Sequence, residues 1–402
     1  MNVEKGPAHR AKGVAMQPVR TQRERFMAVM RGERIEPIPF FPDITDWYSA
    51  RRGEPGKPRR GGSGAFTSDA DPAHKVAGDM PDAYRDFTLL DFYRRFDWGL
   101  PIHHYGWFRR LYADGVSREV REQGGERVIR LHTPRGGLVR RELLAADGSW
   151  CPVEHFCKGP ADLEIVRLVV EATRYEPCYD TVLAAMAEMG DRGVGDLPLD
   201  RSPFGKLVHE YMGFEQTAYA LFDDAARIEA FLAVQEQSDL QLVKLAASGP
   251  APVVILSDHA DENLIAPPHY ARYCIPYYQK ISKIIHAGGK YVSTHLDGNF
   301  RGFFPLLGKT GFDLLDGCTP APMFNYEVEE LAAALPPGMK TYCGVPATLF
   351  CQHLPEGEIL AFGDRIAAAL GGRGILNIGD ILPPDGEIEQ VIALGRHMAG
   401  KG

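Results

Sequence analysis

The segment STHLDG, residues 293–298, ends an apolar run with a histidine and an aspartate two positions apart. Side chains two apart on a strand lie on the same face, so His295 and Asp297 can converge on one point. An imidazole beside a carboxylate can hold a divalent metal ion or transfer a proton. The sequence also allows a structural alternative, in which Asp297 caps the segment that follows and His295 only hydrogen-bonds a substrate.

Polar or reactive residues also end other apolar runs in the C-terminal half of the chain. They are Asp258, Asp316 with Cys318, Cys343, and Asp380. The runs alternate with helical patterns, which predicts successive βα units around a parallel sheet. Strands are predicted near residues 252–257, 290–295, 312–316, 340–343 and 373–378. The carboxyl ends of such strands form one mouth in a (β/α)8 TIM barrel, so the polar residues are expected to meet there.

The predicted architecture is therefore an α/β fold, a (β/α)8 TIM barrel with an N-terminal extension and a small β insertion. Residues 1–20 lack periodicity and are expected to be a flexible tail. Residues 21–402 are expected to form a single catalytic barrel domain, with a loop-rich insertion around residues 50–150. Within that insertion, residues 53–80 are expected to be a loop-rich excursion.

Local signals refine the N-terminal third of the chain. Thr21 and Glu24 have the spacing of a capping box at the start of a helix. Residues 115–150 alternate in the manner of antiparallel strands. A hairpin within them is predicted to turn at Gly136 and Gly137.

The composition restricts the class of protein. With 402 residues, 45% of them hydrophobic and 24% charged, the chain is expected to fold as a soluble globular protein. A formal charge of −8 argues against binding nucleic acid. We find no apolar run long enough to span a membrane and no signal-peptide pattern, so a cytoplasmic location is expected. The seven cysteines form no regular framework, which suits a reducing compartment.

Five segments together resemble the uroporphyrinogen decarboxylase superfamily, which also contains the methyltransferases of corrinoid-dependent methyl transfer. The segments are RERFMAVMRGERIEPIPF, ILSDHADENLIAPPHYARYCIPYYQKI, GGKYVSTHLDGNF, TGFDLLDGCTP and GILNIGDILPPDGEIEQVI. The resemblance extends from about residue 21 to residue 398, and the order and spacing of the segments carry it.

The resemblance implies a metal site with altered ligands. In the methyltransferase branch, a His-x-Cys at a strand end and a later Cys bind zinc. His295 matches that histidine, while Asp297 and Asp380 stand at the two cysteine positions. The decarboxylases carry a histidine at the last position, so this chain departs from both branches. One imidazole with two carboxylates is a harder ligand set that accepts zinc, iron or manganese, and zinc is the favoured metal.

Further candidates surround this site. Asp258 and Glu262 are expected, with His295, to act as catalytic groups, the carboxyls as general acids for a departing alkoxide or phenoxide. Neighbouring His103 and His104 cannot both face one site from a strand. The expected substrate-binding residues are Asp43, Trp47, Tyr48, Tyr105 and Cys343.

The function expected from the resemblance is methyl transfer from an O-methyl compound, such as a methoxyaromatic, to the cobalt of a corrinoid protein. The expected cofactors are a divalent metal and a corrinoid supplied by a partner protein, because the complete motif of a corrinoid-binding domain is absent. A homodimer is a further expectation. The alternatives are a decarboxylase-like lyase acting on a carboxylated small molecule and a binding barrel without catalysis. Asp43 and Asp46 would repel a polycarboxylate, which argues against uroporphyrinogen itself as substrate.

Overall fold

The computed structural model describes residues 20–52, 80–145 and 150–400. The expected N-terminal tail, apart from residue 20, and the expected excursion at 53–80, apart from residue 80, lie outside the described residues. No helix of the described part is long and apolar enough to cross a membrane.

The described residues form thirteen strands and twelve α-helices. The strands are β1 Leu100–His103, β2 Phe108–Tyr112, β3 Ser117–Gln123, β4 Glu126–Thr133, β5 Gly136–Leu144, β6 Trp150–Glu154, β7 Thr173–Pro177, β8 Gly193–Leu199, β9 Val253–Leu256, β10 Tyr291–His295, β11 Leu314–Cys318, β12 Lys340–Pro346 and β13 Gly374–Gly379. The helices are α1 Gln22–Met30, α2 Thr45–Arg52, α3 Leu89–Arg95, α4 Leu163–Ala172, α5 Tyr179–Met189, α6 Pro203–Lys206, α7 Phe214–Ser248, α8 Pro267–His269, α9 Ile275–Ala287, α10 Val328–Ala334, α11 Glu356–Leu370 and α12 Ile388–Ala399.

Seven of the strands form one parallel sheet, in the order β1-β8-β9-β10-β11-β12-β13. The last five are the strands predicted from the sequence, so the alternating βα pattern of the C-terminal half is confirmed. Helices lie between consecutive strands of this sheet, which makes the fold a mixed α/β fold of the predicted class. All carboxyl ends of the strands therefore lie at one edge of the sheet.

A short N-terminal segment, residues 39–41, bonds to both edge strands of the sheet. The amide of Phe41 donates to the carbonyl of Leu376 in β13 at 2.9 Å, and the amide of Leu376 donates to Pro39 at 2.8 Å. On the other side, the amide of Gly99, which precedes β1, donates to the carbonyl of Phe40 at 2.9 Å. The two edges of the sheet thus share one strand-like connector.

The amino ends of the strands are covered by α1. Inward-facing apolar side chains from five strands pack there against Phe26, Val29 and Met30 of the helix. These side chains are Val194, Val253, Leu314, Tyr342 and Ile375. The helix begins with the predicted capping box, because Thr21 accepts from the amide of Glu24 and Glu24 accepts from the amide of Thr21. This end of the sheet is closed by hydrophobic packing.

The insertion contains a four-stranded antiparallel sheet, β3-β4-β5-β6, and its strand β2 pairs with β7, which lies beyond the insertion after α4. The antiparallel strands predicted within residues 115–150 are therefore confirmed. The predicted turn position is wrong, because Thr133 pairs with Gly136 and the glycines open β5. Thr133 closes the two-residue turn instead: its Oγ accepts from the amide of Arg135 at 3.2 Å and donates to the carbonyl of Gly136 at 2.8 Å.

Candidate metal centre

Three residues singled out from the sequence meet at the carboxyl ends of the strands. His295 ends β10, Asp297 follows it, and Asp380 follows β13. Nε2 of His295 lies 3.4 Å from Oδ2 of Asp380 and 3.7 Å from Oδ2 of Asp297. His295 and Asp380, 85 positions apart in the sequence, thus converge because β10 and β13 belong to one parallel sheet.

A second histidine, His259, joins this group from the loop after β9. Its Nδ1 lies 2.8 Å from Oδ1 of Asp297, and its ring centroid lies 4.6 Å from that of His295. His259 has a φ of 48°, a conformation uncommon for residues other than glycine. Ligand atoms of His259, His295 and Asp297 all lie within 4.8 Å of one another. Sequence reasoning did not choose His259, although its place directly after a strand-end aspartate was a usable signal.

Asp316 fixes the orientation of the His295 imidazole. Nδ1 of His295 donates to Oδ2 of Asp316 at 2.8 Å, and the two residues are register partners on β10 and β11. The carboxylate is buried. Because Nδ1 is engaged, Nε2 faces Asp297 and Asp380, which is the arrangement by which carboxylates orient metal-binding histidines. The next residue, Gly317, has a φ of 73°, and a Cβ there would lie 2.6 Å from Cε1 of His295.

The electrostatics of the mouth are dominated by carboxylates. Burial opposes a charge on His295, but Asp380, Asp297 and Asp316 outweigh it and hold the pKa of His295 well above its usual range. The pKa of Asp297 is lowered despite burial, because His259 and His295 hydrogen-bond to it. Burial, with the charge of Asp380 nearby, raises the pKa of Asp43 to about 6. Such a surplus of negative charge around imidazoles attracts a cation.

A second histidine–carboxylate pair joins β1 to β8. Nδ1 of His103, at the end of β1, lies 3.0 and 2.9 Å from the two carboxylate oxygens of Asp196 on β8. Burial opposes the charged imidazole, but the charge and hydrogen bonds of Asp196 raise the pKa of His103 to about 9. His103 lines an interior cavity together with Asp196 and Asp316. His104 is buried away from solvent, and burial lowers its pKa to about 4.

The two carboxyl groups expected to be general acids are engaged elsewhere. Asp258 is fully buried; its Oδ1 accepts from the amide and the hydroxyl of Ser202, both at 3.0 Å, and its Oδ2 accepts from the hydroxyl of Tyr278. Glu262 accepts from the amide of Gly302 and, at 2.5 Å, from the side-chain amide of Asn325. The hydrogen bonds of Asp258 stabilise the protein interior, and those of Glu262 join two loops. Neither placement suits proton transfer to a substrate.

Three of the expected substrate-binding residues are packing residues. Trp47 is 1% exposed and packs edge-on against Phe92, with ring centroids 5.7 Å apart. Tyr48 packs against the same ring and donates to the carbonyl of Phe87 at 3.3 Å. Cys343 is fully buried, and burial raises the pKa of its thiol well above the usual range. Aromatic and apolar residues near a mouth were therefore mistaken for its lining.

Asp43 and Tyr105 keep positions that a substrate could reach. The carboxylate of Asp43 accepts from the amide and hydroxyl of Thr45, at 2.8 and 2.6 Å, and its amide donates to Asn377 at 3.0 Å. Tyr105 is 53% exposed, and its ring centroid lies 6.0 Å from that of His103. These two residues remain candidates for contact with a substrate.

Comparison with known proteins gives a family for part of the chain. Residues 201–330, about one third of its length, match the family described as Uroporphyrinogen decarboxylase (URO-D). The superfamily predicted from the sequence is confirmed for these residues. They include His259, His295, Asp297 and Asp316. No curated protein sequence matches the chain.

Solved structures show how widely the fold is shared. A methyltransferase from Methanosarcina mazei is 12% identical and superposes with a TM-score of 0.59, covering 95% of this chain and 99% of its own. A B12-independent methionine synthase from Shewanella sp. W3-18-1, in complex with selenomethionine, is 9% identical with a TM-score of 0.42, covering 65% of this chain and 73% of its own. The first of these shows that its fold is shared over nearly the whole chain.

Proposed function

We propose that the protein is a methyltransferase with a divalent metal held by His259, His295 and Asp297, and with Asp380 as a further ligand. The observation that carries this proposal is the convergence of the ligand atoms of the first three residues within 4.8 Å. The residues fit a metal in a second respect, because Asp316 holds Nδ1 of His295 and leaves Nε2 to the site. The superfamily match and the fold shared with a methyltransferase support methyl transfer as the chemistry.

The donor set decides which metals are plausible. Two imidazoles and one or two carboxylates bind zinc well and also suit iron and manganese. The three residues whose ligand atoms converge include no cysteine, so the proposed donor set contains no thiolate. We therefore propose zinc as the resident metal, in a site less selective than one built from thiolates.

The chain's own residues have separable roles in the proposed reaction. A bound divalent metal supplies Lewis acidity toward the oxygen of a methyl ether. His103, held protonated at neutral pH by Asp196, faces the interior cavity and is our candidate for donating a proton to the departing oxygen. It takes the role first expected of Asp258 and Glu262. Tyr105 and Asp43 would contact the substrate at the rim.

The proposed substrate is a small O-methyl compound such as a methoxyaromatic, and the proposed methyl acceptor is a reduced corrinoid carried by a partner protein. A cationic donor beside the cavity suits an oxygen leaving group, which is poor as an anion. We also propose that residues 39–41 act as the eighth strand of a closed barrel, supported by their hydrogen bonds to Leu376 on one side and Gly99 on the other.

The proposal is tested by metal analysis together with methyl transfer. The purified chain should bind about one zinc ion and transfer methyl groups to free reduced cobalamin from at least one member of a methoxyaromatic panel. His295→Ala should lose both properties. The matched control is His286→Ala, because His286 also pairs with an aspartate at 2.8 Å but precedes β10 and lies outside the cluster.

The outcomes separate the candidate functions. A chain that binds no metal and transfers no methyl group, yet decarboxylates a small carboxylate, would replace our proposal with the lyase. Metal loss in His286→Ala equal to that in His295→Ala would show that the readout reports folding and not the site.

A further inference from the structure

A large cleft separates the antiparallel insertion from the helices beside it, outside the mouth. Its walls come from β2, β3, β4, β5 and β7 on one side and from α4, α6 and α7 on the other. The open space measures about 1430 Å³, including its opening to solvent. That is ample for an organic ligand of ordinary size. We refer to it as the insertion cleft.

The polar lining of the insertion cleft is mainly cationic. The cations are Arg110, Arg118, Arg127, Arg140, Arg201 and Lys206, and the carboxylates are Glu142, Asp200 and Glu210. This surplus of positive charge contrasts with the formal charge of −8 for the whole chain. A cleft of this kind favours an anionic ligand.

Ion pairs hold most of these cations in place and reduce the surplus of positive charge in the insertion cleft. Arg140 and Arg127 share the buried carboxylate of Glu142, at 2.7 and 3.3 Å, and Arg127 also pairs with Glu122 at 2.7 Å. Lys206 pairs with Asp239 at 2.5 Å and with Asp200 at 3.5 Å. Their spare N–H groups remain available as preoriented donors.

The remaining pairs leave one cation without a partner. Arg110 pairs with Asp200, and Arg201 lies 3.7 Å from Glu210. Arg118 is exposed and has no ion pair with any described residue. The local balance therefore leaves about one positive charge, which suits a ligand with a single negative charge.

The floor beneath Arg118 is apolar. Arg118 stands opposite Leu131 in the β3-β4 register, and both residues line the insertion cleft. Further buried side chains continue the floor: Ile129, Phe156, Val166, Val169 and Val170. An apolar surface beside an unpaired guanidinium matches a molecule with a hydrocarbon body and one carboxylate.

The insertion cleft adjoins a second space. Arg110, Asp200, Arg201 and Glu210 line both spaces. The second space also touches Tyr105 and Ser257, which lie near His103 and His259 in the sequence. None of the described candidate metal ligands lines the insertion cleft, so a ligand there occupies a space distinct from the metal centre.

We infer that the insertion cleft binds an apolar monocarboxylate, with its carboxylate on Arg118 and its hydrocarbon body on the floor around Leu131. The inference does not depend on methyl transfer, because it rests on the walls of a different space. It assigns the antiparallel insertion a binding role in addition to its packing role.

Isothermal titration calorimetry with 4-phenylbutyrate tests this inference directly. The wild-type chain should show saturable binding at one site per chain. Acetate lacks the apolar body and 4-phenyl-1-butanol lacks the charge, so each should bind at least about tenfold more weakly. Arg118→Gln should weaken binding of 4-phenylbutyrate by about tenfold or more, since it removes a charge-assisted hydrogen bond.

The matched control is Arg121→Gln on the same strand. Arg121 pairs with Glu119 at 2.6 Å and lies on the opposite face of β3, because strand side chains alternate. This variant should bind 4-phenylbutyrate as the wild type does. The inference is overturned if 4-phenylbutyrate gives no saturable heat, if the alcohol or acetate binds equally well, or if the two arginine variants lose affinity equally.

Discussion

The two ends of the parallel sheet differ sharply, although the same strands build both. On β8 and β11, the apolar residues Val194 and Leu314 face the interior, and two positions later Asp196 and Asp316 face the same interior. The side chains of the first level, Val194 and Leu314, pack under α1. Those of the second level, Asp196 and Asp316, pair with histidines. A single strand therefore serves stability at one position and chemistry two residues later. Substitutions at the two levels should therefore have separable effects.

Substitutions at the carboxyl end of the sheet should change metal affinity more than any other property predicted here. Asp297→Asn should weaken metal binding on the order of 1000-fold, because an amide replaces the carboxylate between His259 and His295. Isothermal titration with zinc would measure it. Asp313→Asn is the matched control: a single oxygen of Asp313, Oδ2, accepts from the amide of Val292 and from Nε2 of His286, both at 2.8 Å, a role that the amide oxygen of asparagine can fill. Full metal content in Asp297→Asn would reduce this carboxylate to a structural role.

The opposite end of the sheet should respond in stability alone. Leu314→Ala removes a side chain that is 3% exposed and packs near α1, so the free energy of unfolding should fall by about 3 kcal/mol. Urea denaturation measures this loss. Zinc affinity of the folded variant should stay within about twofold of the wild type. A loss of metal comparable to that of a ligand variant would mean that the two levels are coupled.

A smaller effect is expected from the residue that orients the metal ligand. Asp316→Asn keeps the shape of the side chain but weakens its hold on Nδ1 of His295, so zinc affinity should fall by about 10–100-fold. Competition with a chromophoric chelator would resolve a change of this size. A decrease as large as that of Asp297→Asn would indicate that Asp316 is itself a ligand.

The last prediction concerns His103 and the change of the free energy of unfolding with pH. The pKa of His103 is about 9 in the folded protein and about 6.5 in an unfolded chain, so its contribution to stability is fully present below pH 6.5. The contribution is lost as the pH rises through about 9. We expect about 2 kcal/mol, discounted because the side chain is 26% exposed. Urea denaturation at pH 6.5 and 9.5 should show this loss in the wild type and a flatter profile in His103→Gln; parallel profiles would contradict it.

The fold could be predicted best where strand signals are local. The runs that became β9 to β13 are apolar and bounded by helical patterns, so their order alone predicted a parallel sheet. β1 and β8 were not predicted, because each is interrupted by proline or glycine, as in Leu100–His103 and Gly193–Leu199. Their place in the sheet depends on pairing with neighbours distant in the sequence.

The site could be predicted only in part, for a related reason. Parallel strands bring their carboxyl ends together, so strand-end positions were enough to group His295, Asp297 and Asp380. Loop geometry was not accessible in this way, and His259 was missed because its side chain reaches Asp297 across 38 positions. Asp258 was misassigned because its burial depends on Ser202, 56 positions earlier, and on Tyr278.

The connector at residues 39–41 has a consequence for the order in which the protein can be made. Its partner Leu376 is translated more than 300 residues later, on the order of half a minute at ~5–20 residues per second. During that time Phe40 has no β13 to pair with, and once β12 is made its outer edge also waits for β13. Asp380 emerges later still. A growing chain therefore carries unpaired strand edges and an incomplete metal centre until β13 and Asp380 have been made, and strand edges left unpaired in this way favour aggregation.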